Sequence, residues 1–539
     1  MKNLIFLIFI FCFKFRGFSQ QDAWVYLTGK QNVSESISNP ISILTQKAID
    51  RKNTHNIAID FRDVPVNENY ITQLKNAAGI TVMAKSKWFN AVHVRGSQMD
   101  IQALSSLGFV ASINFADKSL NTVKTSYKNK TKSKLENVFT AFNYGNAANQ
   151  IQMLKGNTLH LFNYTGAGMT VAVLDAGFPN VNTMSAFQRL RNGGKILGGY
   201  DFVNRDDNVY ANVSSSHGTW VLSTMAGYIE NQYVGTAPDA SYYLFITEDA
   251  PNENPVEESY WVEAAERADS LGVDVINTSL GYTTFDNPNY NYSMNDMDGN
   301  TAFITKGANI AFEKGMLLIN SAGNSGNDSW QIVGAPADAA GVLSIGAVDS
   351  YGIYASFSSR GSSLQPTQKP DVVAQGLSSY VIGINDAIGT LNGTSFSAPI
   401  LAGGVVCLWQ ALPQKTNTEI MQIVRESASQ YSNPDYYLGY GIPDLEFALN
   451  LGFFSVSKSN ENESIFLYPN PSRDKIFVKL PDSIENSILT IFDVLGKMIA
   501  TYNFSKGDNE ANISSLSKGM YLAKIEYSGG YKSFKIIKE

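Results

Sequence analysis

Short apolar runs separated by amphipathic stretches dominate the chain between residues 143 and 452. Two longer stretches, VEESYWVEAAERADSLG and TAFITKGANIAFEKG, have the spacing of apolar residues that is typical of helices. The runs that are apolar almost throughout are MTVAVLDAGF, ASYYLFI, VDVINTSLG, GMLLINSAGNSG and VLSIGAV. Strands that are apolar on both faces and alternate with helices indicate a parallel sheet covered on both sides. We therefore predict an α/β domain with a doubly wound, mostly parallel sheet over residues 143–452.

A smaller module is predicted ahead of this domain, within residues 21–117. From Asn56 to about Asp117, two helical stretches, NENYITQLKNAA and SQMDIQALSSLG, lie among the alternating segments NIAIDF, GITVMAKSKWFNAVHV and FVASINF. This pattern predicts a small α+β fold. Residues 118–135 then carry six lysines and few apolar residues, which is typical of a solvated linker. Since exposed linkers are readily cut, we assign residues 118–142 as a linker with a processing site.

The C-terminal part of the chain has a different pattern from about residue 464. Its short alternating segments are SIFLYPNPS, KIFVKL, ILTIFDVLGKMIATY, GMYLAKIEY and YKSFKII. About seven short strands in some eighty residues indicate a small β-sandwich, which we assign to residues 456–539.

The first twenty residues have the pattern of a secretory signal peptide. Lys2 precedes an apolar block, Leu4 to Phe13, which is too short to span a bilayer and is followed by polar residues. A buried first helix is the alternative. We find no later segment with the length of a transmembrane helix, so we expect export without a transmembrane anchor.

Composition and charge exclude some partners. The 539 residues are 44% hydrophobic, enough for a sizeable core, and the net charge is −7. An acidic chain without a large basic face is not typical of proteins that bind nucleic acid. We therefore expect no nucleic-acid partner, and we expect a monomer.

Candidate functional residues are sought at the carboxyl ends of the predicted strands, because ligands bind there in sheets of this kind. Asp175 ends an apolar run, where an acid needs a partner, and His217 stands where a polar loop becomes a helix. Ser395, in LNGTSFSAP, precedes a long apolar run. Each of these residues also has an ordinary structural interpretation: Asp175 as a strand cap, His217 as a surface residue, Asn324 as a turn residue and Ser395 as a helix cap.

Seven motifs that follow one another along the chain favour a shared functional role for these residues over the separate structural interpretations. They are VAVLDAG, HGT, VINTSLG, SAGNSG, FSSRG, KPDVVAQG and GTSFSAP. Residues 143–452 thereby resemble the subtilisin family (subtilases) of serine proteases, in which the catalytic Asp, His and Ser follow one another in this order. The resemblance implies a subtilisin-like catalytic domain.

The resemblance also implies a role for each polar residue. Ser395 would be the nucleophile, His217 its general base, and Asp175 the group that orients the imidazole and stabilises its charged form. The side-chain amide of Asn324 and the backbone N–H of Ser395 would stabilise the oxyanion.

A substrate-binding region is implied by the same resemblance. Backbone segments would line the first specificity pocket and pair with an extended substrate, as an added β-strand does. These residues are Ser279, Leu280, Gly281, Ser321, Ala322 and Gly323. The motif match alone excludes Thr394 and Ser397 as the nucleophile.

The flanking regions carry two further resemblances. WFNAVHVRGSQMDIQALSSLGFVASINF, in the module at 56–117, resembles the inhibitor-like propeptides of subtilisin-type zymogens, which implies that this module assists folding and covers the cleft until the linker is cut. A permanent accessory domain is the alternative. YPNPS, LTIFDVLGK and GMYLAKI resemble the C-terminal sorting domain of the type IX (Por) secretion system, which implies that this machinery is a partner and exports the protein across the outer membrane to the cell surface or the medium.

The sequence thus predicts a secreted serine endopeptidase that acts on protein or peptide substrates through an acyl-enzyme and is made as a preproprotein. We expect no cofactor for catalysis and no metal in the catalytic site. The segment at 282–300, a long insertion, has Asp and Asn residues that suit calcium but no EF-hand spacing, so a solvated loop is the alternative. Two other classes of function stay open: an inactive subtilisin-fold binding protein, and a surface adhesin that binds through the C-terminal sandwich.

Overall fold

A computed structural model describes residues 20–121, 142–211, 214–454, 465–481, 484–493, 498–506, 508–527 and 530–539. The predicted signal peptide, apart from Gln20, lies outside the described residues. So do residues 122–141, which form most of the predicted linker.

The N-terminal module is a four-stranded antiparallel sheet with short helices. Its elements are β1 Gln20–Leu27, α1 Val33–Ser38, α2 Gln46–Thr54, α3 Glu68–Lys75, β2 Thr81–Ser86, β3 Ala91–Ser97, α4 Gln98–Ala103 and β4 Val110–Phe115. The strand order is β2-β3-β1-β4, so the first strand is internal to the sheet. The two predicted helices are confirmed as α3 and α4, whose apolar residues pack in one core with β1 and β3.

Two parts of the module differ from the prediction. The segment NIAIDF is not a strand: it runs into a 3₁₀ helix, Phe61–Asp63, that Asp60 and Asp63 cap reciprocally through side-chain hydrogen bonds. Local bonds of this kind satisfy the backbone without a sheet partner. The module also begins at Gln20 rather than Asn56, because β1 pairs with both β3 and β4.

The central domain is the predicted α/β fold. Its elements are α5 Ala148–Gln152, α6 Gly156–Leu161, β5 Thr170–Asp175, α7 Gln188–Asn192, β6 Ile196–Asp201, α8 His217–Ala226, β7 Tyr228–Ile229, β8 Tyr233–Val234, β9 Ser241–Ile246, α9 Val256–Leu271, β10 Val275–Thr278, α10 Phe303–Glu313, β11 Leu317–Ser321, β12 Val342–Val348, β13 Val372–Gln375, β14 Ser379–Ile382, β15 Ile388–Leu391, α11 Thr394–Ala411, α12 Asn417–Glu426 and α13 Leu445–Phe454. Seven strands form one sheet in the order β13-β12-β11-β10-β5-β9-β6, and all its neighbouring strands are parallel.

Strand β5 explains why the sheet is covered on both faces. Val171 and Val173 belong to the core that includes α8 and α11, whereas Ala172 and Leu174 belong to the core that includes α9 and α10. Successive side chains of a strand point to opposite faces, so an uninterrupted apolar run needs a helical layer on each side. The predicted doubly wound architecture is confirmed.

Helix α11 differs from the prediction in one respect. It begins at Thr394 after Gly393 and carries the long apolar run behind Ser395. Among the described residues, it is also the one helix long and apolar enough to cross a membrane, although the sequence predicts none after the N-terminal block. Since 94% of that helical window is buried, α11 is the central core helix of the α/β domain.

The C-terminal part has two antiparallel sheets, as predicted. Its strands are β16 Phe466–Tyr468, β17 Lys475–Lys479, β18 Asn486–Asp493, β19 Met498–Ser505, β20 Asp508–Asn512, β21 Gly519–Tyr527 and β22 Gly530–Lys538. The sheet orders are β16-β17-β20 and β19-β18-β21-β22. Ile476 and Val478 from one sheet share a core with Ile491 and Ile525 from the other, which is the arrangement of a small sandwich.

Candidate active site

Asp175 and His217 form a hydrogen-bonded pair at the carboxyl ends of the sheet. Asp175 is the last residue of β5 and His217 the first of α8. The imidazole Nδ1 lies 2.8 Å from Asp175 Oδ1, and the two side chains are 29% and 2% exposed. Asp175 Oδ1 also accepts the backbone N–H of Ala176 at 2.7 Å. A buried carboxylate with two donors is held in place, and it fixes the proton of the neutral imidazole on Nδ1.

The same pair sets the charge state of the imidazole. Burial lowers the pKa of His217, but the charge of Asp175 and its hydrogen bond outweigh burial, and the charge of Glu248 acts in the same direction. The pKa therefore lies above its usual value of 6.5. The imidazole takes up a proton more readily than a free histidine does.

Ser395 is the second residue of α11 and is not a helix cap. The residue in the N-cap position is Gly393, and no side chain caps this helix. The Ser395 hydroxyl donates to the backbone carbonyl of Ser279 at 3.2 Å, and the Ser279 hydroxyl donates to the Ser395 carbonyl at 2.9 Å. The His217 ring lies close by, 5.9 Å from the ring of Phe396 between centroids. The cap interpretation of Ser395 is wrong, because the side chain is directed elsewhere.

Two hydrogen-bond donors converge beside Gly393. A methyl group added at this glycine would lie 3.6 Å from Asn324 Nδ2 and 3.6 Å from the backbone nitrogen of Ser395. Gly393 has a φ of 151°, which L side chains rarely adopt, so this space stays open. N–H groups in the first turn of a helix have no partner within the helix. The space between the two donors suits an oxygen atom with developing negative charge.

The six backbone positions predicted to bind substrate lie at or just after the carboxyl ends of two neighbouring strands. Ser279, Leu280 and Gly281 follow β10, and Ser321, Ala322 and Gly323 end or follow β11, which pairs with β10. Part of this backbone is already bonded within the protein, since Asn320 donates to the Leu280 carbonyl at 3.1 Å and Ser359 N donates to the Gly323 carbonyl at 2.9 Å. The two segments form adjacent walls next to Ser395.

Sequence reasoning missed two features of this site. Thr394, excluded as a nucleophile, is completely buried and donates both its backbone N–H and its hydroxyl to Asn324 Oδ1. Glu248 lies near Asp175 and accepts a hydrogen bond from the hydroxyl of Tyr282. Burial raises the pKa of Glu248 to about 8, and the charge of Asp175 adds to this effect. Glu248 follows the apolar run ASYYLFI, the same signal that identified Asp175.

The acidic residues of the loop at 282–300 bond other groups of the protein, both within the loop and outside it, where Lys118 pairs with Asp296 at 2.9 Å. Asp296 accepts hydrogen bonds from Ser293, and Asp298 accepts them from Asn300 and Thr301. Across the part of the chain that the structure describes, no group of three or more His, Cys, Asp or Glu side chains is arranged to hold a metal ion.

Comparison with known families assigns three regions of the chain. The model of the subtilase family matches residues 166–441. A peptidase S8 propeptide domain of Bacteroidota matches residues 22–134, and a secretion system C-terminal sorting domain matches residues 466–539. The propeptide match begins close to β1, in agreement with the structure. The sorting domain indicates type IX secretion to the cell surface or the extracellular space.

Two subtilisins agree with the central assignment. Over 305 residues the chain is 32% identical to subtilisin E of Bacillus subtilis (strain 168), an alignment that covers 55% of this chain and 70% of the relative. It is also 32% identical over 305 residues to a subtilisin of Bacillus pumilus, covering 55% and 97% of the two chains. A crystal structure of MycP1 with the N-terminal propeptide removed aligns at 24% identity and a TM-score of 0.45, covering 56% of this chain and 96% of that chain. The chain belongs to the subtilase family and is a serine-type peptidase with a propeptide and a type IX sorting domain.

Proposed function

We propose that the protein is a secreted endopeptidase that cleaves peptide bonds through a triad of Asp175, His217 and Ser395. The observation that carries this proposal is the hydrogen bond of 2.8 Å between His217 Nδ1 and Asp175 Oδ1, formed beside the start of the helix that bears Ser395. This bond leaves the imidazole Nε2 as the basic nitrogen. No other group is needed to take the proton of a serine hydroxyl.

The first chemical step requires a rotation of the Ser395 side chain. Its hydroxyl donates to the Ser279 carbonyl, which in the proposed complex would instead accept a backbone N–H of the substrate. Once displaced, the hydroxyl gives its proton to His217 while its oxygen attacks the substrate carbonyl carbon. The tetrahedral oxyanion then lies between Asn324 Nδ2 and the Ser395 N–H.

Collapse of this intermediate yields the acyl-enzyme. His217 gives its proton to the leaving amine, and water then attacks the ester with the same histidine as base. Asp175 stays ionised throughout and stabilises the imidazolium. We propose that this cycle needs no cofactor or catalytic metal, that the protein acts as a monomer without a membrane anchor, and that Ser279–Gly281 and Ser321–Gly323 bind the substrate backbone.

A fluorophosphonate probe tests the nucleophile. Mature wild-type protein should be labelled covalently and should cleave peptides, whereas Ser395→Ala should do neither. Ser397→Ala is the matched control, because this hydroxyl only donates to the Thr394 carbonyl, at 3.1 Å. Labelling of Ser395→Ala, or wild-type protein that is neither labelled nor active, would reject the triad.

Removal of the propeptide is tested with the same variant. If the chain processes itself, Ser395→Ala produced alone should remain uncut in residues 118–142, and wild type should lose its N-terminal module. Equal processing of both proteins would assign the cut to another protease. Wild-type protein that is active with an intact N-terminal module would contradict the interpretation that the chain is made as a zymogen.

A further inference from the structure

Residues 44–63 of the N-terminal module contact the catalytic domain at the edge of the sheet opposite the candidate site. Lys47 Nζ lies 2.8 Å from Asp274, the residue before β10, and also bonds Thr170, the first residue of β5. Asp175 stands at the other end of β5, about 17 Å away at roughly 3.3 Å per residue. We call residues 44–63 the amino-edge anchor.

Buried charges join the amino-edge anchor to the end of α9. Lys52 Nζ lies 2.9 and 3.2 Å from the two carboxylate oxygens of Asp269, and both side chains are fully buried. The Arg51 guanidinium bonds the same carboxylate and the backbone carbonyl of Val273. Burying Asp269 therefore depends on two cations supplied by the module, because an unpaired buried charge is strongly unfavourable.

The end of α10 repeats this arrangement with the charges reversed. Lys314 Nζ, 1% exposed, lies 2.7 Å from Asp63 and 3.0 Å from Asp60 of the module. Asp63 is also 3.2 Å from Lys52, so the ion pairs form one continuous network across the interface. The module and the catalytic domain each contribute positive and negative charges, and this pattern fixes their relative position.

Close packing accompanies the ion pairs. A methyl group at Gly315 would come within 2.1 Å of Ile57 Cδ1, and one at Gly272 within 2.6 Å of the backbone nitrogen of Ala48. The Thr45 N–H donates to the Ser270 carbonyl at 2.9 Å. The catalytic domain thus presents small residues where the anchor approaches, as a built docking surface does.

The rest of the module docks on the outer face of α9 and α10 and meets the anchor at the end of α9, where Lys87 Nζ donates to the Ser270 hydroxyl at 2.6 Å. The Trp24 ring stacks on Phe303 with centroids 4.7 Å apart, and Glu266 accepts hydrogen bonds from Lys87 N and Trp88 N at 2.9 Å. Release of the module therefore has to break the anchor contacts together with those made by its sheet.

We propose that the amino-edge anchor is a second docking point for the N-terminal module, and that it slows release of the module from the catalytic domain without contacting the active site. The partner that fits the edge is a short basic helix, α2, followed by the acidic turn at residues 60–63. The proposal rests on the proposed cleavage of the linker, but its test supplies that cut from outside.

The experiment uses the full chain with Ser395→Ala and a recognition sequence for a foreign protease inserted within residues 122–141. After cutting, release of the N-terminal fragment from the immobilised catalytic part is followed over time. Lys52→Met should speed release by about tenfold or more, with little change in the association rate. The double variant Lys47→Ala, Ile57→Ala changes two partly exposed side chains and should speed release severalfold.

Lys85→Ala is the matched control, because Lys85 pairs only with Glu68 of the same module and both are exposed. Thermal melting before the cut identifies variants that fold. If Lys52→Met fails to fold, the double variant decides. Release of folded anchor variants at the wild-type and Lys85→Ala rate would overturn the proposal. Since the Ser395→Ala chain needs no peptidase activity in this assay, failure of the proposed catalytic function would leave the result unaffected.

Discussion

The side-chain oxygen of Asn324 accepts two hydrogen bonds from Thr394, one from the backbone N–H at 2.9 Å and one from the hydroxyl at 3.0 Å. These bonds direct the amide nitrogen of Asn324 toward the space beside Gly393. Thr394→Val keeps the shape and the backbone bond but loses two bonds of the hydroxyl, the one to Asn324 and the one accepted from Gly323 N at 3.1 Å. We expect kcat to fall about tenfold, on the order of the one hydrogen bond to Asn324. Thr394→Ser should restore kcat, and a rise in KM alone would contradict this positioning role.

Removal of the donor itself should have a larger effect. Asn324→Ala should lower kcat by about 10²–10³ with little change in KM, because the amide contacts the oxyanion only in the transition state. The same magnitude is found when such a donor is removed in subtilisin itself, and we apply it here because this chain belongs to the same family. Steady-state kinetics on a peptide substrate would measure it. An increase in KM with kcat unchanged would instead mean that Asn324 binds the ground state.

The pH dependence of kcat/KM should report the His217–Asp175 pair. The imidazole must be neutral to accept a proton, and its pKa is raised, so activity should fall on acidification through a midpoint above 6.5. Asp175→Asn removes the charge that stabilises the imidazolium and should move this midpoint to lower pH while lowering kcat. Glu248→Gln should move it less, because Asp175 contributes both its charge and a hydrogen bond to His217, whereas Glu248 contributes its charge alone. A wild-type midpoint at or below 6.5 would contradict the ion pair.

The C-terminal sandwich should be separable from the chemistry. It has its own core and contains none of the candidate catalytic residues, although β22 touches α13. A chain ending at Phe454 should cleave peptides in vitro, yet in the native host it should stay in the periplasm.

Two outcomes would revise this expectation. Normal export of the truncated chain would contradict the sorting role, and a folded but inactive one would place the sandwich at the substrate site. Residues 456–539 fused to a periplasmic reporter should carry that reporter outward.

The sequence predicted those parts of the site that depend on residues close together in the chain. Asp175 ends an apolar strand and His217 begins a helix, so each was predicted from its immediate neighbours. The bond between Ser395 and Ser279 joins residues 116 positions apart, and no local pattern indicates it. The role of Thr394 was missed for the same reason, since its partner is 70 residues away.

Burial of a charged side chain is a further feature that no local pattern indicates. The helix QKAIDRKNT carries three cations, yet Lys52 is fully buried. Its partner Asp269 lies 217 residues later, and only the fold brings the two together. Alternation of apolar and polar residues is also ambiguous in a short segment. NIAIDF has the period of a strand, but reciprocal capping by Asp60 and Asp63 satisfies the backbone hydrogen bonds in a 3₁₀ helix instead.

The internal position of β1 sets an order of events during export. Ala23 pairs with Val94 on one side and with Phe115 on the other, about ninety residues later in the chain. A polypeptide that crosses a membrane from its N-terminus delivers β1 first, but this strand has no neighbours until β3 and β4 have followed. Contacts so distant in sequence form slowly. The propeptide therefore cannot complete its own sheet until almost the whole of it has emerged.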